Sequence, residues 1–366
     1  MIKICFVHIN GYAVFNPSSG AQIGGVEAQL GFLARFLSKK SFNVSYIVGD
    51  WGQRKKEERE DIIFLKSFSL EKTFLNIARA PFLLWSSLIS SNSDIFIMSS
   101  ACAEFGIVSI FCKLYKKKII YWTAHDIDCN GEYRKKNPIR GLLFEYGIKN
   151  ANLVVSQNLS HARELKSYYN IDAIVIKNGF PIKNISAEDR KYVLWVARCE
   201  SWKNPMLFLE LARMMPSQNF VMICSKGKQE LQLFETIKSM ANSLSNLNFI
   251  EGVIFSDIQR YFDKAKIFIG TSDYEGFPVT YLHACVSGVP IVSYKVNPDD
   301  FITRGNVGYC ANGAKNKFIE NIKKLLMDQA EWQEKSENAS RYIYENHDME
   351  IIGKQWAENI QKLIKK

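Results

Sequence analysis

No Cys-x-x-Cys pair occurs in this 366-residue chain, and its eight cysteines are scattered between positions 5 and 310. This distribution argues against a disulfide framework or a zinc site, and it is typical of small apolar side chains in a reducing compartment. The chain also has no run of the roughly 20 apolar residues that span a bilayer. The nearest candidate, residues 95–112, is interrupted by Ser99, Ser100 and Glu104. We therefore expect no transmembrane helix.

Two further absences narrow the class of protein. Residues 1–8 (MIKICFVH) have neither the long apolar core nor the cleavage site of a signal peptide, so we expect a strand there and a cytoplasmic protein. The loop before the predicted helix 26–39 has no Gly-x-Gly-x-x-Gly spacing, because Gly24 and Gly25 are followed by a glycine only at position 31. A nicotinamide-dependent dehydrogenase is therefore disfavoured.

The composition, 47% hydrophobic and 23% charged, is that of a globular protein, and 366 residues exceed one typical core. Predicted strands and helices alternate in both halves, which indicates two α/β domains, each a parallel sheet with helices on both faces. The turn at 178–181 (NGFP) is the predicted hinge. We therefore expect domains at 1–180 and 181–347, followed by a long helix at 348–366.

The net charge of +10 is unevenly distributed. Residues 1–180 contain 23 Lys and Arg against 15 Asp and Glu, a difference of +8, whereas the remaining residues contain 24 against 22. A group of basic residues lies close together in the first half: Lys113, Lys116, Lys117, Lys118, Arg134, Lys135, Lys136 and Arg140. A basic face attracts anionic lipid, nucleic acid or phosphorylated substrates, and it is equally typical of a solvated surface.

Residues 267–293 (IFIGTSDYEGFPVTYLHACVSGVPIVS) are the most informative stretch. They predict a strand, a turn at Gly276, a helix from Val279 to Val286 and a second strand. A helix that begins directly after a strand binds anions, because its first N–H groups are unpaired and its dipole is positive there. Glu275 lies at the entrance, where a carboxylate is unfavourable beside phosphate unless it accepts hydrogen bonds from hydroxyls. A sugar joined to a phosphate satisfies both groups.

Arg198 and Lys203 follow the first strand predicted for the second domain. Arginine presents two parallel donors and lysine a point charge, so both suit a diphosphate that must be bound and then stabilised as it leaves.

The segment Glu275-Gly276-Phe277-Pro278, the apolar helix after it and residues 288–292 (GVPIV) resemble the donor-sugar motif of the family-4 glycosyltransferases. These are retaining enzymes of the GT-B fold. The resemblance implies two doubly wound Rossmann-like domains facing a cleft, with an acceptor-binding first domain and a second domain that binds a nucleotide-sugar donor. It also implies that the C-terminal helix crosses back to the first domain.

The resemblance implies roles for single residues. The donor diphosphate is assigned to Arg198, Lys203, Gly24, Gly25, Val279 and Thr280. The donor sugar and ribose are assigned to Glu275, Gly276, Phe277 and His283. His125, which follows the predicted strand 118–122, and Glu275 are the implied catalytic residues.

His283 departs from the family pattern, which has a second glutamate at this position. A neutral imidazole has one donor and one acceptor, so it cannot grip both ribose hydroxyls as a carboxylate does. Donor affinity, nucleotide choice and activity all depend on what His283 does. We expect it to share an inward helix face with Thr280, three residues earlier.

The segment 126–128 (DID) is an Asp-x-Asp, the metal motif of the other major glycosyltransferase fold. The pattern of two parallel sheets argues against that fold, and Arg198 with Lys203 neutralises phosphate without a metal. We therefore expect neither a metal nor a cofactor.

The function expected from these residues is retaining transfer of a sugar from a UDP- or GDP-sugar to a saccharide or lipid-linked acceptor, in surface polysaccharide or glycolipid synthesis. The partners expected are that donor, that acceptor and an anionic membrane surface at its cytoplasmic face, without nucleic acid. Two alternatives stay open. One is an isomerase or epimerase of nucleotide sugars with the same fold, and the other is a non-catalytic homologue that acts as a scaffold.

Overall fold

The computed structural model describes residues 1–17, 23–71, 73–182, 190–227 and 230–365. The chain forms two compact units. Unit 1 consists of Met1–Pro181 and His347–Lys366, and unit 2 consists of Ile182–Asn346.

Unit 1 contains an eight-stranded sheet in the order β3-β4-β2-β1-β5-β6-β7-β8. All of its neighbouring strands are parallel except β3, which pairs antiparallel with β4. The inner strands are continuous apolar runs because helices cover both faces of a parallel sheet. The strands are β1 Ile2–Val7, β2 Phe42–Asp50, β3 Lys56–Arg59, β4 Ile62–Ser69, β5 Ile95–Ser99, β6 Lys118–Trp122, β7 Leu153–Ser156 and β8 Ile174–Val175.

The first six helices of unit 1 are α1 Gly25–Ser38, α2 Phe74–Ser91, α3 Ala103–Leu114, α4 Glu132–Lys136, α5 Pro138–Lys149 and α6 Leu159–Tyr169. Side chains of α2, α3, α5 and α6 form one core with the sheet, whereas those of α1 belong to another. Each helix that joins two parallel strands begins at the carboxyl edge of the sheet and ends at the amino edge. This direction decides which surface residues are neighbours.

Unit 2 contains a six-stranded parallel sheet in the order β11-β10-β9-β12-β13-β14. Its strands are β9 Tyr192–Arg198, β10 Phe220–Ser225, β11 Leu247–Ile250, β12 Ala265–Gly270, β13 Ile291–Ser293 and β14 Gly308–Cys310. Its helices are α7 Pro205–Met214, α8 Leu231–Asn242, α9 Gln259–Asp263, α10 Val279–Val286, α11 Phe301–Arg304, α12 Lys315–Met327 and α13 Gln329–His347. The strand–turn–helix–strand predicted for residues 267–293 is therefore β12, α10 and β13.

The last helix, α14 (Met349–Lys365), packs on unit 1, as expected for the C-terminal helix. Its Trp356 is fully buried, and the ring centroid lies 4.9 Å from that of Trp122 at the end of β6. Gly353 allows the helix to approach α1, because a Cβ there would lie 2.4 Å from the Phe36 ring. The α14 side chains belong to the same core as those of α1.

No helix in the described ranges, which omit 18–22, 72, 183–189, 228–229 and 366, has the length and apolar character required to cross a bilayer. The strand pair β3–β4 was not predicted, because residues 56–59 (KEER) are all charged. Charged side chains on an edge strand are common, since they discourage pairing with a second chain.

We predict that Trp356→Ala lowers the free energy of unfolding by roughly 3–5 kcal/mol, because it removes a buried indole and leaves a cavity between α14 and the sheet. Urea unfolding followed by tryptophan fluorescence measures the change. The exposed Glu358→Ala on the same helix is the control and should shift stability by less than roughly 0.5 kcal/mol. Equal midpoints for the two variants would show that α14 does not stabilise unit 1.

Candidate active site

Two loops of unit 2 bring the predicted donor residues together. β9 and β12 are parallel neighbours, so their carboxyl ends lie at the same edge of the sheet. Lys203 is in the loop after β9 and Glu275 is in the loop after β12. The Lys203 ammonium forms an ion pair with the Glu275 carboxylate.

The two loops are joined by further hydrogen bonds. The Thr271 hydroxyl donates to the Lys203 carbonyl oxygen at 2.6 Å and accepts from the Trp195 indole N–H at 2.8 Å. The Asp273 amide donates to the Trp202 carbonyl oxygen at 2.9 Å. These contacts position the loops independently of the ion pair.

An aromatic pair lies beside the ion pair. The rings of Trp202 and Tyr274 stack with centroids 5.0 Å apart and planes inclined by 11°. The Lys203 ammonium also lies 4.0 Å from the centroid of the Trp202 ring, where a cation is attracted by the aromatic face. Lys203 is therefore positioned by an indole as well as by a carboxylate.

The ion pair is largely shielded from water, with the Lys203 and Glu275 side chains 15% and 14% exposed. The Ser272 hydroxyl donates to Glu275 Oε1 at 3.0 Å. Attraction in such a site is strong, but desolvation offsets much of it, so the pair fixes orientation more than it adds stability. Loss of one partner alone leaves a buried charge, which costs roughly 3–5 kcal/mol.

Arg198 is the last residue of β9 and lies at the same sheet edge as Lys203. Its Nε is 3.5 Å from Glu200 Oε1, and Glu200 also accepts from the Trp202 indole N–H at 2.6 Å. The guanidinium is half-exposed and remains accessible to a ligand. The two predicted phosphate-binding cations therefore lie on one edge, each beside its own carboxylate.

Helix α10 begins four residues after Glu275. Its N-cap is Pro278, which provides no side-chain hydrogen bond to the first turn. The amides of Val279 and Thr280, both half-buried, are at the positive end of the helix dipole. This end of α10 has the polarity that the sequence predicted for an anion site.

The turn before α10 packs against other residues of unit 2. Gly276 is buried, and the Phe277 ring lies 5.1 Å from the Phe301 ring, centroid to centroid. Phe277 thus contributes to the packing of the turn. The contacts of Gly276 and Phe277 with a donor sugar stay predictions.

His283 lies deeper in unit 2 than the sequence indicated. The residue is 5% exposed, its Nδ1 lies 2.6 Å from the Gln259 amide oxygen, and its ring stacks on Phe262 at 5.2 Å. Burial lowers its pKa to about 3, so the imidazole is neutral near pH 7. Because the amide oxygen of Gln259 only accepts, Nδ1 carries the proton. Thr280 is half-buried, so the two residues differ in accessibility, and the ribose contact of His283 stays a prediction.

In unit 1, His125 lies just beyond the carboxyl end of β6, as predicted. It begins the short 3-10 turn Asp126–Asp128 and is half-exposed. The carboxylate of Asp128 is buried and accepts hydrogen bonds from the amides of Ala101 (2.9 Å), Ala124 (2.7 Å) and His125 (3.1 Å). Asp128 therefore fixes the backbone on which His125 is carried.

The other carboxylate of the Asp-x-Asp segment contacts a buried histidine. His161 Nε2 lies 2.9 Å from Asp126 Oδ1, and His161 Nδ1 lies 3.0 Å from the Thr123 hydroxyl. Both aspartates of the segment are thus engaged by protein groups. Within the described ranges, no group of three or more His, Cys, Asp or Glu is arranged to hold a metal ion.

Gly24 and Gly25 lie at the start of α1, after residues 18–22, which are outside the described part of the chain. The Gly24 amide donates to the Glu27 carboxylate at 3.0 Å, and a Cβ at Gly24 would lie 2.8 Å from that oxygen. Glu27 thus places a negative charge at the end of α1 that was predicted to face the donor phosphates. That role of the two glycines stays a prediction.

Family models match the chain in two adjacent parts. Residues 177–346 match "Glycosyl transferases group 1", and residues 23–184 match "Glycosyltransferase Family 4". The chain is a family-4, group 1 glycosyltransferase.

Known relatives of the glycosyltransferase are distant. An uncharacterised glycosyltransferase of Haemophilus influenzae is 24% identical over 94% of this chain and 98% of its own length. The poly(ribitol-phosphate) α-N-acetylglucosaminyltransferase of Staphylococcus aureus is 23% identical over 66% of this chain and 50% of its own length. The structure of HepE from Anabaena, solved with UDP and glucose, matches with a TM-score of 0.79 at 17% identity, covering 99% of this chain and 100% of HepE. This likeness confirms the GT-B fold class.

Several residues of the candidate site were not predicted from the sequence. Trp202 directly precedes Lys203, and Tyr274 directly precedes Glu275. The sequence signal for these two residues was therefore an aromatic side chain next to each predicted donor residue. The contact of Glu200 with Arg198 could also be suspected from their spacing along the loop. His161 gave no signal, because its partners Thr123 and Asp126 are brought to it only by the fold.

Burial of His283 has a consequence for the pH dependence of stability. Its pKa in the folded protein is about 3, below the ordinary value of 6.5. Between these two pH values the unfolded chain binds more protons than the folded protein, so the free energy of unfolding falls as the pH falls. Burial lowers the pKa of His347 in unit 1 to about 3 as well. From about pH 7.5 to about pH 5, each histidine should lower the free energy of unfolding by roughly 2 kcal/mol.

Chemical unfolding at the two pH values tests this prediction. The pH-dependent loss should be smaller in His283→Gln and in His347→Gln than in the parent chain. The readout is the difference between pH values, since each variant also changes the packing. An unchanged pH dependence in His283→Gln would show that His283 is not buried in its neutral form.

Proposed function

We propose that this glycosyltransferase is a retaining enzyme that moves a hexose from a nucleotide-diphosphate-sugar to a saccharide or lipid-linked acceptor, in surface polysaccharide or glycolipid synthesis. The observation that carries the proposal is the Lys203–Glu275 ion pair beside the first turn of α10. A cation and a carboxylate in contact suit a ligand that joins an anionic diphosphate to a polyhydroxyl sugar.

Unit 2 binds the donor in this proposal. Lys203 and Arg198 contact the diphosphate, and the amides of Val279 and Thr280 at the start of α10 donate to its oxygens. Each of these cations lies beside a carboxylate of the protein. The diphosphate therefore competes with Glu275 for Lys203 and with Glu200 for Arg198.

The same competition makes the Glu275 carboxylate available to the sugar. When Lys203 turns to the diphosphate, Glu275 Oε1 accepts from sugar hydroxyls instead. Ser272, which donates to Glu275, keeps the carboxylate in place during the exchange. Glu275 acts by orienting the hexose, and Gly276 and Phe277 form the turn against which the sugar rests.

Unit 1 binds the acceptor, with His125 as the residue next to the reacting carbon. Asp128 supports this role, because its buried carboxylate fixes the backbone of the loop that carries His125. Gly24 and Gly25 contribute the first turn of α1 to the donor phosphates.

In the reaction, the bond between the anomeric carbon and the diphosphate oxygen breaks, and a bond from the acceptor hydroxyl oxygen forms on the same face of the sugar. The acceptor proton passes to the departing diphosphate oxygen, so the products are the glycosylated acceptor and a nucleoside diphosphate. Retaining hydrolases instead use a pair of carboxylates. Here the protein supplies orientation and positive charge for the leaving group.

The donor nucleotide is UDP or GDP in this proposal. HepE was solved with UDP and glucose, which supports UDP-glucose as the first donor to test. The relative from Staphylococcus aureus glycosylates poly(ribitol phosphate), which supports a surface glycan as acceptor. We place the enzyme in the cytoplasm, with an anionic membrane surface as a partner of the basic unit 1.

We predict that Lys203→Met and Glu275→Gln each lower donor turnover by roughly 10²–10³-fold, since each removes one charged contact of the transition state. Donor hydrolysis without acceptor, measured with UDP-, GDP- and ADP-sugars, is the assay. Lys238→Met removes a surface ion pair with Glu251 in the same unit and should leave turnover unchanged. The double variant, which leaves no unpaired charge, separates loss of function from loss of folding.

Three outcomes decide against the proposal. Full turnover by both single variants would show that the pair does not contact the donor. Conversion of the donor to an epimeric nucleotide sugar would identify an epimerase. Absence of turnover with every donor and acceptor, together with absence of donor binding, would favour a scaffold.

We also propose that catalysis needs no metal, because Arg198 and Lys203 supply the positive charge and Asp126 and Asp128 are engaged by protein groups. Turnover should therefore be the same within error in excess EDTA and in excess Mg²⁺ or Mn²⁺. Activity that EDTA abolishes and Mn²⁺ restores would contradict this.

A further inference from the structure

The first half of α2 exposes an unusual set of apolar side chains. The only buried residues of this helix are Leu84, Ser87 and Leu88, all in its second half. In the first half, Phe74 is 85% exposed and Phe82 is 77% exposed, and Leu75 and Ile77 are exposed as well. Soluble proteins rarely leave several large apolar side chains together in water, and such a patch indicates an interaction surface.

The spacing of these residues forms a stripe. Phe74, Ala78 and Phe82 recur every four residues, so they lie along one face of α2, with Leu75 beside them. Arg79 is the single charged residue of the helix, and no acidic residue occurs in it. The stripe is therefore continuous and free of negative charge.

Helix α5, on the other side of α3, also exposes apolar side chains at the carboxyl edge of the sheet. Both α2 and α5 join parallel strands, so both begin at the carboxyl edge of the sheet, and both pack on α3 through the same core. Near the start of α5, Ile139 is 80% exposed and Leu142 is also exposed. The carboxyl edge of unit 1 thus presents apolar side chains from two helices, at the edge where His125 lies.

The fold divides the basic group of the sequence into two. Lys113, Lys116, Lys117 and Lys118 lie between the end of α3 and the start of β6, which is the amino edge. Arg134, Lys135, Lys136 and Arg140 lie in α4 and at the start of α5, which is the carboxyl edge. Only this second set lies at the edge where the exposed apolar side chains are.

The second set keeps a positive balance at that edge. Lys136 pairs with Glu132 at 3.0 Å, and Arg140 lies 3.7 Å from Glu104. With Arg79 of α2 included, the edge carries five basic residues against three acidic ones, Glu104, Glu132 and the exposed Glu71 just before α2. A surface that combines exposed phenylalanines with excess positive charge is complementary to an anionic bilayer, which offers an apolar layer beneath negative headgroups.

We infer that this carboxyl-edge surface of unit 1, formed by the first half of α2 with α4 and the start of α5, docks on an anionic lipid bilayer. Phe74, Phe82 and Ile139 enter the headgroup layer, and Lys135 and Arg140 contact the phosphates. A soluble polyanion accounts for the charges but leaves the apolar stripe in water. The inference names the face through which the proposed membrane partner binds, and it does not depend on glycosyl transfer.

Sedimentation with vesicles tests the docking without donor or acceptor. The full-length protein should bind vesicles of phosphatidylcholine with phosphatidylglycerol and bind pure phosphatidylcholine vesicles much more weakly. The double variant Phe74→Ser/Phe82→Ser should reduce partitioning by more than roughly tenfold. Lys135→Ala and Arg140→Ala should each reduce it by roughly fivefold, an effect that high salt weakens.

Matched controls distinguish this face from general stickiness and charge. Met327 in unit 2 is as exposed as Phe74, at 85%, and Met327→Ser should leave partitioning unchanged. Lys113→Ala/Lys116→Ala removes equal charge at the amino edge and should have less effect than Lys135→Ala/Arg140→Ala. All of these side chains are exposed, so unchanged melting temperatures will confirm that the variants fold.

Three outcomes would overturn the inference. One is equal binding to neutral and anionic vesicles, or none to either. Another is a larger loss from the amino-edge variant than from the carboxyl-edge variant. The third is a dimer in solution that Phe74→Ser/Phe82→Ser dissociates, which would assign the surface to a second copy of the chain. Failure of donor turnover would leave the vesicle result intact, so the two proposals fail separately.

Discussion

The ion pair between Lys203 and Glu275 is the contact on which the proposed donor site depends. A lysine next to a carboxylate is a poor phosphate site when that carboxylate has no other partner, because the two anions repel each other. The pair becomes useful when one ligand offers both an anion and hydroxyl donors. The mutual neutralisation of Lys203 and Glu275 also explains how two charged groups can be largely buried in the protein.

The sheet of unit 2 makes this contact possible. Lys203 and Glu275 are 72 positions apart in the sequence, and they meet because β9 and β12 are neighbouring parallel strands. Thr271 and the stacked rings of Trp202 and Tyr274 then join the loops after those strands. The contact between Lys203 and Glu275 thus depends on strand order and on loop packing. The large aromatic side chains beside the two charged groups provide that packing.

Much of this arrangement could be predicted from the sequence, and the reasons are local. The strand–turn–helix at 267–293 is marked by glycine, proline and apolar periodicity, and Arg198 and Lys203 follow a strong strand. The tail was predicted as a long helix and its return to unit 1 was implied by the family resemblance, although its packing through Trp356 and Gly353 required the fold. In each case neighbouring residues carry the signal.

The predictions that needed tertiary information were less successful. His283 was expected on an inward helix face shared with Thr280, but its coverage by α9 was not predicted, since Gln259 and Phe262 contact it from 20 or more positions away. The basic residues at 113–140 are one group in the sequence and two in the structure, because β6 separates them. The exposure of α2 was also not predicted from the sequence, since its apolar spacing is the same as that of a buried helix.

A double-mutant cycle on donor binding tests the central claim most directly. The ligand is the nucleotide-sugar that stabilises the parent chain most. Calorimetry measures its binding to the parent chain, Lys203→Met, Glu275→Gln and the double variant. If one ligand occupies both residues of a coupled pair, the two losses should differ from additivity by at least about 1 kcal/mol. Losses that add within roughly 0.3–0.5 kcal/mol, or that are absent, would show that the pair does not act as one donor site.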